Sequence, residues 1–374
     1  MPLRQLALTA FRSYESLTLD LEAGPHVVVG RNGAGKTNLV EAIVVLSRGR
    51  SHRSSSDTEL IRWGSPFARL VASVQGEGQR QEELEVVLRS PGSGTGARKR
   101  VRVNGVGRRT SAAALVLRSV LFAPEDMLLV VGSPTLRRSF LDALTSQREP
   151  TAAGVMAAYS RALTQRNSLL RRIREEAASR DELTYWDSTF CESGGQIRRW
   201  RGDALEAIRA PLAAAHAEIA PGESVLTLEY VTNALPQPGE DPAAALSRRL
   251  AETADKEIWN GATLVGPHRD DLVFRVGGRD LPSHASRGQQ RTAILALKLA
   301  ELDLLTELDG RPPLLLLDDV FSELDPERRA HLVRRIGALP QAIVTTTSTE
   351  DLDSGLVTAS RIWHVEPGCV RAAA

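Results

Sequence analysis

The stretch Gly30-Arg31-Asn32-Gly33-Ala34-Gly35-Lys36-Thr37 decides how this chain folds. It matches the pattern G-x-x-x-x-G-K-[ST] and stands between the apolar run His26–Val29 and a segment with apolar residues at helical spacing. In such a strand–loop–helix unit, the glycines let backbone N–H groups turn inward and cradle phosphate oxygens. The stretch therefore predicts a phosphate-binding loop at the end of a buried strand.

The side chains of this loop favour a nucleoside triphosphate with a metal ion. Lys36 is expected to reach the β- and γ-phosphates, and the Thr37 hydroxyl to bind Mg²⁺. ATP and Mg²⁺ are therefore the expected ligands. The predicted ATP contacts on this side are Gly30, Arg31, Asn32, Gly33, Ala34, Gly35, Lys36, Thr37 and Asn38.

An apolar run that ends in two acids, Leu314–Asp319, supplies the second half of such a site. A strand buried in a parallel sheet delivers its last residues to the carboxyl edge, where ligands bind in open α/β sheets. We expect Asp318 to hold Mg²⁺ through water. Asp319 stands where ABC-type ATPases place a glutamate that polarises the attacking water. Alone, the run also fits a core strand that reaches solvent.

The segment Ser286–Arg291, followed by a strongly periodic helix, resembles the signature sequence of ABC-type ATPases. Ser286, the Gly288 backbone and Gln289 would form an anion site at a helix N-terminus, facing the γ-phosphate held by a second subunit. Ser286 equally fits a helix N-cap, and both roles can hold together. Ser322–Asp325 follows the acidic pair as the D-loop of these ATPases does. The predicted catalytic residues are Lys36, Asp318 and Asp319.

Two elements of ABC-type sites have no obvious counterpart. Thr345–Thr347 ends the next strand, where many of these proteins carry a switch histidine, and the absence of that histidine predicts slow hydrolysis. Glu125 and Asp126 lie near the position expected for the Q-loop glutamine.

Hydrophobic periodicity divides the chain into three parts. Short strand patterns fill the first third, with a hairpin signal at Asn104-Gly105 and a Gly/Ser-rich loop at Ser90–Gly96. Long helical patterns follow, and the last third returns to alternating strands and helices. We predict an α/β fold, a P-loop ABC-type ATPase head made of both chain ends, with an inserted, mostly helical arm domain. The predicted segments are 1–125, 126–261 and 262–374.

Composition fits a globular protein of the cytoplasm. The chain is 42% hydrophobic and 25% charged, and its two cysteines fit no metal or redox spacing. Arg4 and Arg12 interrupt any apolar core of a signal peptide, and no apolar run is long enough to cross a membrane.

Net charge of +1 gives no global argument for nucleic-acid binding, so a DNA surface would need clustered charge. Aromatic residues make up only 4% and do not interleave with basic runs, which favours contacts to the duplex backbone that are indifferent to sequence. Each basic run also fits a solvated face. The candidate runs are Arg98-Lys99-Arg100 with Arg102, Arg108 and Arg109; Arg161, Arg166, Arg171, Arg172 and Arg174; and Arg198-Arg199-Trp200-Arg201.

Further segments resemble the RecF family of bacterial DNA-repair ATPases over nearly the entire chain. Gly266–Leu272, which reads G-P-H-R-D-D-L, is the most specific of them. The others are Phe11-Arg12-Ser13-Tyr14, Thr37–Ile43, Phe122–Asp126, and Gly132–Pro134 with Arg137, Arg138, Leu141 and Asp142. Ser13 departs from the asparagine that the family pattern F-R-N-Y carries.

The resemblance implies a Rad50/SMC-like head whose long coiled coil is replaced by a compact helical arm. It also implies weak, DNA-stimulated hydrolysis of ATP and an ATP-dependent homodimer on gapped or duplex DNA. RecO and RecR are the implied partners in loading recombinase at gaps during recombinational repair. For His268 and Arg269, a role near nucleotide or DNA competes with a turn that pairs with Asp270 or Asp271.

Other protein classes remain as alternatives. A structural SMC-like head in a larger assembly would use its partner contacts more than hydrolysis. The ATPase subunit of a membrane transporter would carry a Q-loop, a switch histidine and a smaller insert. A small-molecule kinase would leave Ser286–Arg291 and Ser322–Asp325 unexplained.

Overall fold

The computed structural model describes residues 2–54, 56–76, 80–90 and 97–373, so positions 91–96 of the predicted loop Ser90–Gly96 lie outside the described residues. The chain forms two compact units. We call Met1–Leu128, Pro211–Glu223 and Ala285–Ala374 the head unit, and Leu129–Ala210 with Ser224–His284 the arm unit. These limits differ from the predicted segments, because the arm unit extends to His284 and Pro211–Glu223 returns to the head unit.

The chain forms both β-strands and α-helices. In chain order, the strands are β1 (Leu3–Phe11), β2 (Tyr14–Asp20), β3 (Gly24–Val29), β4 (Phe67–Gln75), β5 (Gln81–Arg89), β6 (Arg98–Val103), β7 (Val106–Arg108), β8 (Ser119–Phe122), β9 (Leu226–Val231), β10 (Asp271–Val276), β11 (Arg279–Asp280), β12 (Leu314–Asp318), β13 (Gln341–Thr346), β14 (Arg361–Glu366) and β15 (Cys369–Ala372). The α-helices are α1 (Lys36–Arg48), α2 (Ala113–Val116), α3 (Leu128–Val131), α4 (Pro134–Arg148), α5 (Ala152–Arg174), α6 (Leu183–Ile219), α7 (Pro242–Asn260), α8 (Leu281–His284), α9 (Arg287–Asp309), α10 (Pro326–Gly337) and α11 (Ser354–Ala359).

One sheet of the head unit is antiparallel, in the order β2-β1-β4-β5-β6-β7. Its strands alternate buried and exposed residues, as expected for a sheet with one face on the core and one in solvent. The predicted hairpin at Asn104-Gly105 joins β6 to β7 and is confirmed.

The other sheet of the head unit has the order β15-β14-β3-β13-β12-β8. Its five strands from β14 to β8 run parallel, and only β15 is antiparallel. Strand β12 is buried along its whole length, as the run of leucines predicts. Because β3, β12 and β13 are parallel neighbours, their carboxyl ends meet at one edge.

Helix α1 is the central helix of the head core. Leu39, Val40 and Ala42 to Leu46 are buried in one cluster with side chains from both sheets of the unit. A helix that is apolar on all sides must be covered on all sides. The helix that follows the phosphate-binding loop is therefore held rigidly.

The arm unit is mostly helical, with a small antiparallel sheet in the order β11-β10-β9. Tyr159, Ala162, Phe190, Ile197 and Leu246 belong to its main core cluster, which joins α5, α6 and α7. Helix α6 continues through Pro211, where the division between the units falls. Among the described residues, no helix combines the length and apolar character needed to cross a membrane.

Candidate ATPase site

The backbone of the phosphate-binding loop requires glycine for two physical reasons. A Cβ on Gly30 would lie 2.6 Å from the Val365 carbonyl oxygen on β14, so any larger residue would collide with backbone. Gly35 has φ +120°, and a Cβ there would lie 2.9 Å from the Tyr14 hydroxyl. Helix α1 then begins at Lys36, so the loop leads directly into a helix N-terminus, which favours anions.

Lys36 lies across the loop that precedes it. Its Nζ donates to the carbonyl oxygens of Gly30 at 2.6 Å and Arg31 at 3.2 Å. Burial lowers the pKa of this amine, while the charges of Asp319 and Asp318 act in the opposite direction. The predicted catalytic lysine and both predicted acids are therefore electrostatic neighbours.

Thr37 and Asp318 meet at the carboxyl edge of the parallel sheet. Thr37 Oγ1 donates to Asp318 Oδ1 at 3.2 Å, and Thr345 Oγ1 donates to the same oxygen at 2.6 Å. Burial raises the pKa of Asp318, although both hydroxyls and the charge of Arg53 oppose that rise. A hydroxyl and a carboxylate are the hard oxygen ligands that Mg²⁺ prefers. The donor set therefore fits the predicted metal.

Asp319 bends the chain away from the strand. It has φ +54°, a left-handed backbone that a residue other than glycine seldom adopts. Its N–H donates to Thr345 Oγ1 at 3.0 Å, which holds this conformation. Strained residues of this kind cluster at functional sites. Ser322 Oγ in turn donates to the Asp319 carbonyl at 3.0 Å, so the predicted D-loop begins on this bend.

The predicted signature segment forms a helix N-terminus. Ser286 Oγ accepts the N–H of Gln289 at 3.2 Å, and Gln289 Oε1 accepts the N–H of Ser286 at 3.0 Å. This reciprocal capping box begins α9, so the N-cap interpretation of Ser286 is confirmed. Ser286 is exposed, and within the described part of the chain no hydrogen bond joins it to the phosphate-binding loop.

The start of α9 is linked to the D-loop, a connection that sequence reasoning missed. Arg291 donates to Glu323 at 3.0 Å, and Arg328 Nε donates to Thr292 Oγ1 at 2.7 Å. Arg328 also pairs with Asp325. These contacts fix the signature segment and the D-loop next to each other on the head unit.

The turn between β1 and β2 supports the phosphate-binding loop from the other side. Asn38 Nδ2 donates to Ser13 Oγ at 3.0 Å, so the serine that departs from the family pattern contacts the residue that follows Thr37. Tyr14 donates its hydroxyl to the Gly35 carbonyl at 3.0 Å. Arg12 forms two hydrogen bonds, of 2.8 and 2.7 Å, with the fully buried carboxylate of Glu41 on α1.

Glu125 and Asp126 have different surroundings. Asp126 accepts the N–H of Ala123 at 2.8 Å and pairs with Lys298 at 3.0 Å, so it anchors the turn. Glu125 is exposed, and its negative charge raises the pKa of Asp318. Of the two acids near the expected Q-loop position, Glu125 is the one whose charge acts on the site.

The G-P-H-R-D-D segment belongs to the arm unit and makes structural contacts there. His268 Nδ1 and the Tyr159 hydroxyl share a hydrogen bond of 2.6 Å, and burial lowers the pKa of this imidazole to about 4. Asp270 accepts two hydrogen bonds of 2.8 Å from Arg198, so its partner is on α6 and not in its own turn. Asp271 pairs with Arg137 at 2.7 Å.

Three arginines of the candidate DNA runs are buried, and for them the prediction of a DNA-contacting face is wrong. Arg198 pairs with Asp270, Arg201 pairs with Asp142 at 2.7 Å, and Arg166 pairs with Glu257 at 2.7 Å. A basic helix pattern does not reveal acidic partners that are distant in sequence, and here those partners exclude phosphate.

Comparisons with known proteins agree with this geometry. The family model RecF/RecN/SMC N terminal domain matches residues 2–370. DNA replication and repair protein RecF of Halalkalibacterium halodurans is 37% identical over 99% of both chains, and that of Symbiobacterium thermophilum is 40% identical over 94% of this chain and 93% of the relative.

Solved structures give the same result. The chain resembles the recombination mediator protein RecF-ATPrS in the RecFOR pathway with a TM-score of 0.89 and 30% identity, over 100% of this chain and 98% of the other. An Smc head bound to the C-winged helix domain of ScpA has a TM-score of 0.53 at 16% identity, over 99% of this chain and 96% of the other, which supports the fold alone. The chain therefore belongs to the RecF family, and its fold is the head of SMC-type ATPases with an inserted arm.

Proposed function

We propose that this protein binds DNA in an ATP-dependent manner during recombinational repair, by closing as a homodimer on gapped or duplex DNA. The observation that carries the proposal is the meeting of Lys36, Thr37 and Asp318 at one sheet edge, in a chain of the RecF family. Relatives of this chain have solved structures described as RecF-ATP and RecF-ATPrS in the RecFOR pathway, which supports ATP as the ligand and RecR and RecO as partners.

Within this proposal, the loop 30–37 binds the phosphates, with Asn38 next to them. Thr37 and, through water, Asp318 hold Mg²⁺, which when bound neutralises phosphate charge. Lys36 adds a positive charge at the β- and γ-phosphates, and Asp319 orients the attacking water. Because the threonines Thr345–Thr347 stand at the end of β13 where a switch histidine would be expected, we expect slow hydrolysis, accelerated by DNA.

The partner subunit completes the site in this proposal. The N–H groups at the start of α9, with Ser286, Gly288 and Gln289, form an exposed anion-binding end of a 23-residue helix. The links from α9 to the D-loop keep this surface in one shape. A closed dimer would therefore place a preformed donor surface on each nucleotide.

For DNA, the solvent face of the antiparallel sheet is the surface that the charges favour. The strand register places Arg98 beside Arg89, and Arg100 in one row with Val87 and Arg69. These arginines are exposed, and Glu85 pairs with Arg69 and Arg102 beside them. Guanidinium groups spread over a flat face contact phosphates without reading bases. This arrangement favours sequence-independent binding.

The decisive experiment is fluorescence anisotropy of a labelled gapped duplex, titrated with protein at fixed salt with ATP, with ADP and without nucleotide. We expect ATP to give the highest affinity for DNA. Lys36→Met cannot hold nucleotide, so ATP should not raise its affinity for DNA. Ser286→Arg should still bind ATP, but ATP should not raise its affinity for DNA, because the arginine blocks closure on the partner subunit. Equal binding in all three conditions would instead favour a structural head, and tight ATP-dependent binding by Lys36→Met would exclude the proposed cycle.

A further inference from the structure

Trp63 is an unusual residue on the surface of the head unit. Its side chain is 99% exposed, although tryptophan has a large apolar area that folding normally buries. It stands on a tight turn in which the Ser65 N–H donates to the Arg62 carbonyl at 2.9 Å. Gly64 has φ +79° within this turn, which fixes its shape.

Hydrogen bonds connect this turn to the phosphate-binding loop. Ile61 pairs with Phe11 as an antiparallel bridge, and the Arg62 N–H donates to the Ala10 carbonyl at 2.8 Å. The Arg62 guanidinium donates to the Ser13 carbonyl at 3.0 Å. Ser13 Oγ in turn accepts Asn38 Nδ2 at 3.0 Å, one residue beyond Thr37. The turn that carries Trp63 is therefore tied to the start of α1.

The direction of a bound nucleotide can be argued from the metal-binding side. Thr37 and Asp318 would hold Mg²⁺, which would neutralise the charge of the terminal phosphates, so those phosphates would lie toward Asp318. The nucleoside end would then extend away from Asp318, and the β1–β2 turn is available to it because Tyr14 and Ser13 contact the loop at Gly35 and Asn38. Phe11 and Tyr14 of that turn are fully buried and present no free ring face.

We propose that Trp63 is the stacking platform for the adenine base of the nucleotide bound at this loop. The proposal rests on ATP binding at the loop, as given under the proposed function, and it adds a residue that contacts the base. Indole presents a large π-face, and stacking of one base on an aromatic side chain is worth about 1–3 kcal/mol. Arg62 acts as a positioning residue, because it ties the turn of Trp63 to Ser13.

The test compares the binding of ATP and of inorganic tripolyphosphate, by calorimetry with Mg²⁺, to the full-length protein and to Trp63→Ala. We expect Trp63→Ala to raise the Kd for ATP about fivefold or more and to leave the Kd for tripolyphosphate unchanged, since only the base is affected. Trp63→Phe should restore most of the affinity. Trp259→Ala is the matched control, because Trp259 is 78% exposed in the arm unit.

Three outcomes would overturn the inference. Equal ATP affinity in Trp63→Ala and the parent protein would exclude stacking, while the ATP binding of the parent protein would leave the proposed function intact. Equal losses for ATP and tripolyphosphate would indicate a distorted loop. Weaker binding of gapped duplex without nucleotide, at unchanged ATP affinity, would assign Trp63 to the DNA surface. If the parent protein itself fails to bind ATP, the proposed function fails instead.

Discussion

The hydroxyl of Thr345 donates a 2.6 Å hydrogen bond to Oδ1 of Asp318. The two residues are direct partners in the parallel register of β12 and β13, so the sheet itself sets this contact. The same hydroxyl oxygen accepts the N–H of Asp319. One threonine thus orients the carboxylate proposed for the metal and fixes the backbone of the acid proposed for the attacking water.

Replacing Thr345 by Val removes this hydroxyl with little change in shape. A hydrogen bond to a charged group contributes about 1.5–3 kcal/mol, so we expect the ATP hydrolysis rate to fall about tenfold or more. Steady-state phosphate release measures it. Thr345→Ser should retain most activity, and Thr346→Val is the matched control, because the Thr346 hydroxyl donates to the Ser348 carbonyl instead. A parental rate in Thr345→Val would contradict this role.

Replacing Glu41 by Ala should destabilise the head unit by about 3 kcal/mol. Removing one partner of a buried ion pair leaves the other charge without compensation, and here Arg12 would lose both of its bonds to the carboxylate. Urea denaturation followed by tryptophan fluorescence measures the change. Glu22→Ala is the control, because the Arg361–Glu22 pair is exposed and its loss should cost about 0.5 kcal/mol or less. Equal losses in the two variants would disagree with this account.

The buried imidazole of His268 predicts a pH dependence of stability. An unfolded chain protonates it near its ordinary pKa of 6.5, whereas the folded arm resists protonation until about pH 4. Between these values the unfolded state binds more protons, so acidification lowers the free energy of unfolding, by at most about 1.4 kcal/mol per pH unit. The charged and titratable groups around the ring are Tyr159, Arg138, Arg269 and Asp270.

Denaturation of His268→Asn at pH 7 and pH 5 tests this sign. The variant should be less stable at pH 7, because the Tyr159 contact is altered, but it should lose less stability on acidification than the parent protein. The comparison must be between variants, since burial also lowers the pKa of His52 to about 4 in the head unit. If His268→Asn loses as much free energy of unfolding between pH 7 and pH 5 as the parent protein does, His268 is not the titrating group.

The basic sheet face predicts a salt dependence of DNA binding. Each phosphate contact that is lost should reduce the slope of log K against log salt by about 0.9. We therefore expect Arg98→Ala combined with Arg100→Ala to weaken binding of any duplex sequence and to reduce this slope by about 2. Arg199→Ala is the control, because Arg199 comes from a basic run on α6 and pairs with Asp241 at 3.0 Å. If Arg199→Ala weakens DNA binding more than the double variant does, the DNA-binding surface lies on the arm unit instead.

Elements that are defined by local sequence patterns could be predicted from the sequence alone. The leucine run of β12 and the strand–loop–helix around Lys36 were predicted correctly, because burial of parallel strands and the geometry of the loop constrain those residues directly. The strands β14 and β15 went unpredicted, and so did the link from Thr345 to both acids. That link depends on the parallel register of strands that are separated by a helix, which no local pattern contains.

The arginines show what could not be predicted from the sequence, namely which basic side chains are exposed and which are buried in ion pairs. Arg98 and Arg198 are both members of basic runs, yet one is exposed on a strand and the other is buried against Asp270. Only tertiary structure supplies the partner that separates them. The helical spacing of apolar residues continues past Pro211 to Leu212, and α6 accordingly continues through this proline, although proline removes a helix hydrogen bond and commonly ends a helix.

The strand order of the parallel sheet also constrains how the protein is made. Strand β3 leads into the phosphate-binding loop, but its neighbours on both sides, β13 and β14, come from the end of the chain. During synthesis, the first strands and α1 therefore leave the ribosome long before the strands that must enclose them. The arm unit can fold in the meantime, because its segments end at His284. A chain released early would expose the apolar helix α1, so a quality-control protease would find unfinished copies readily.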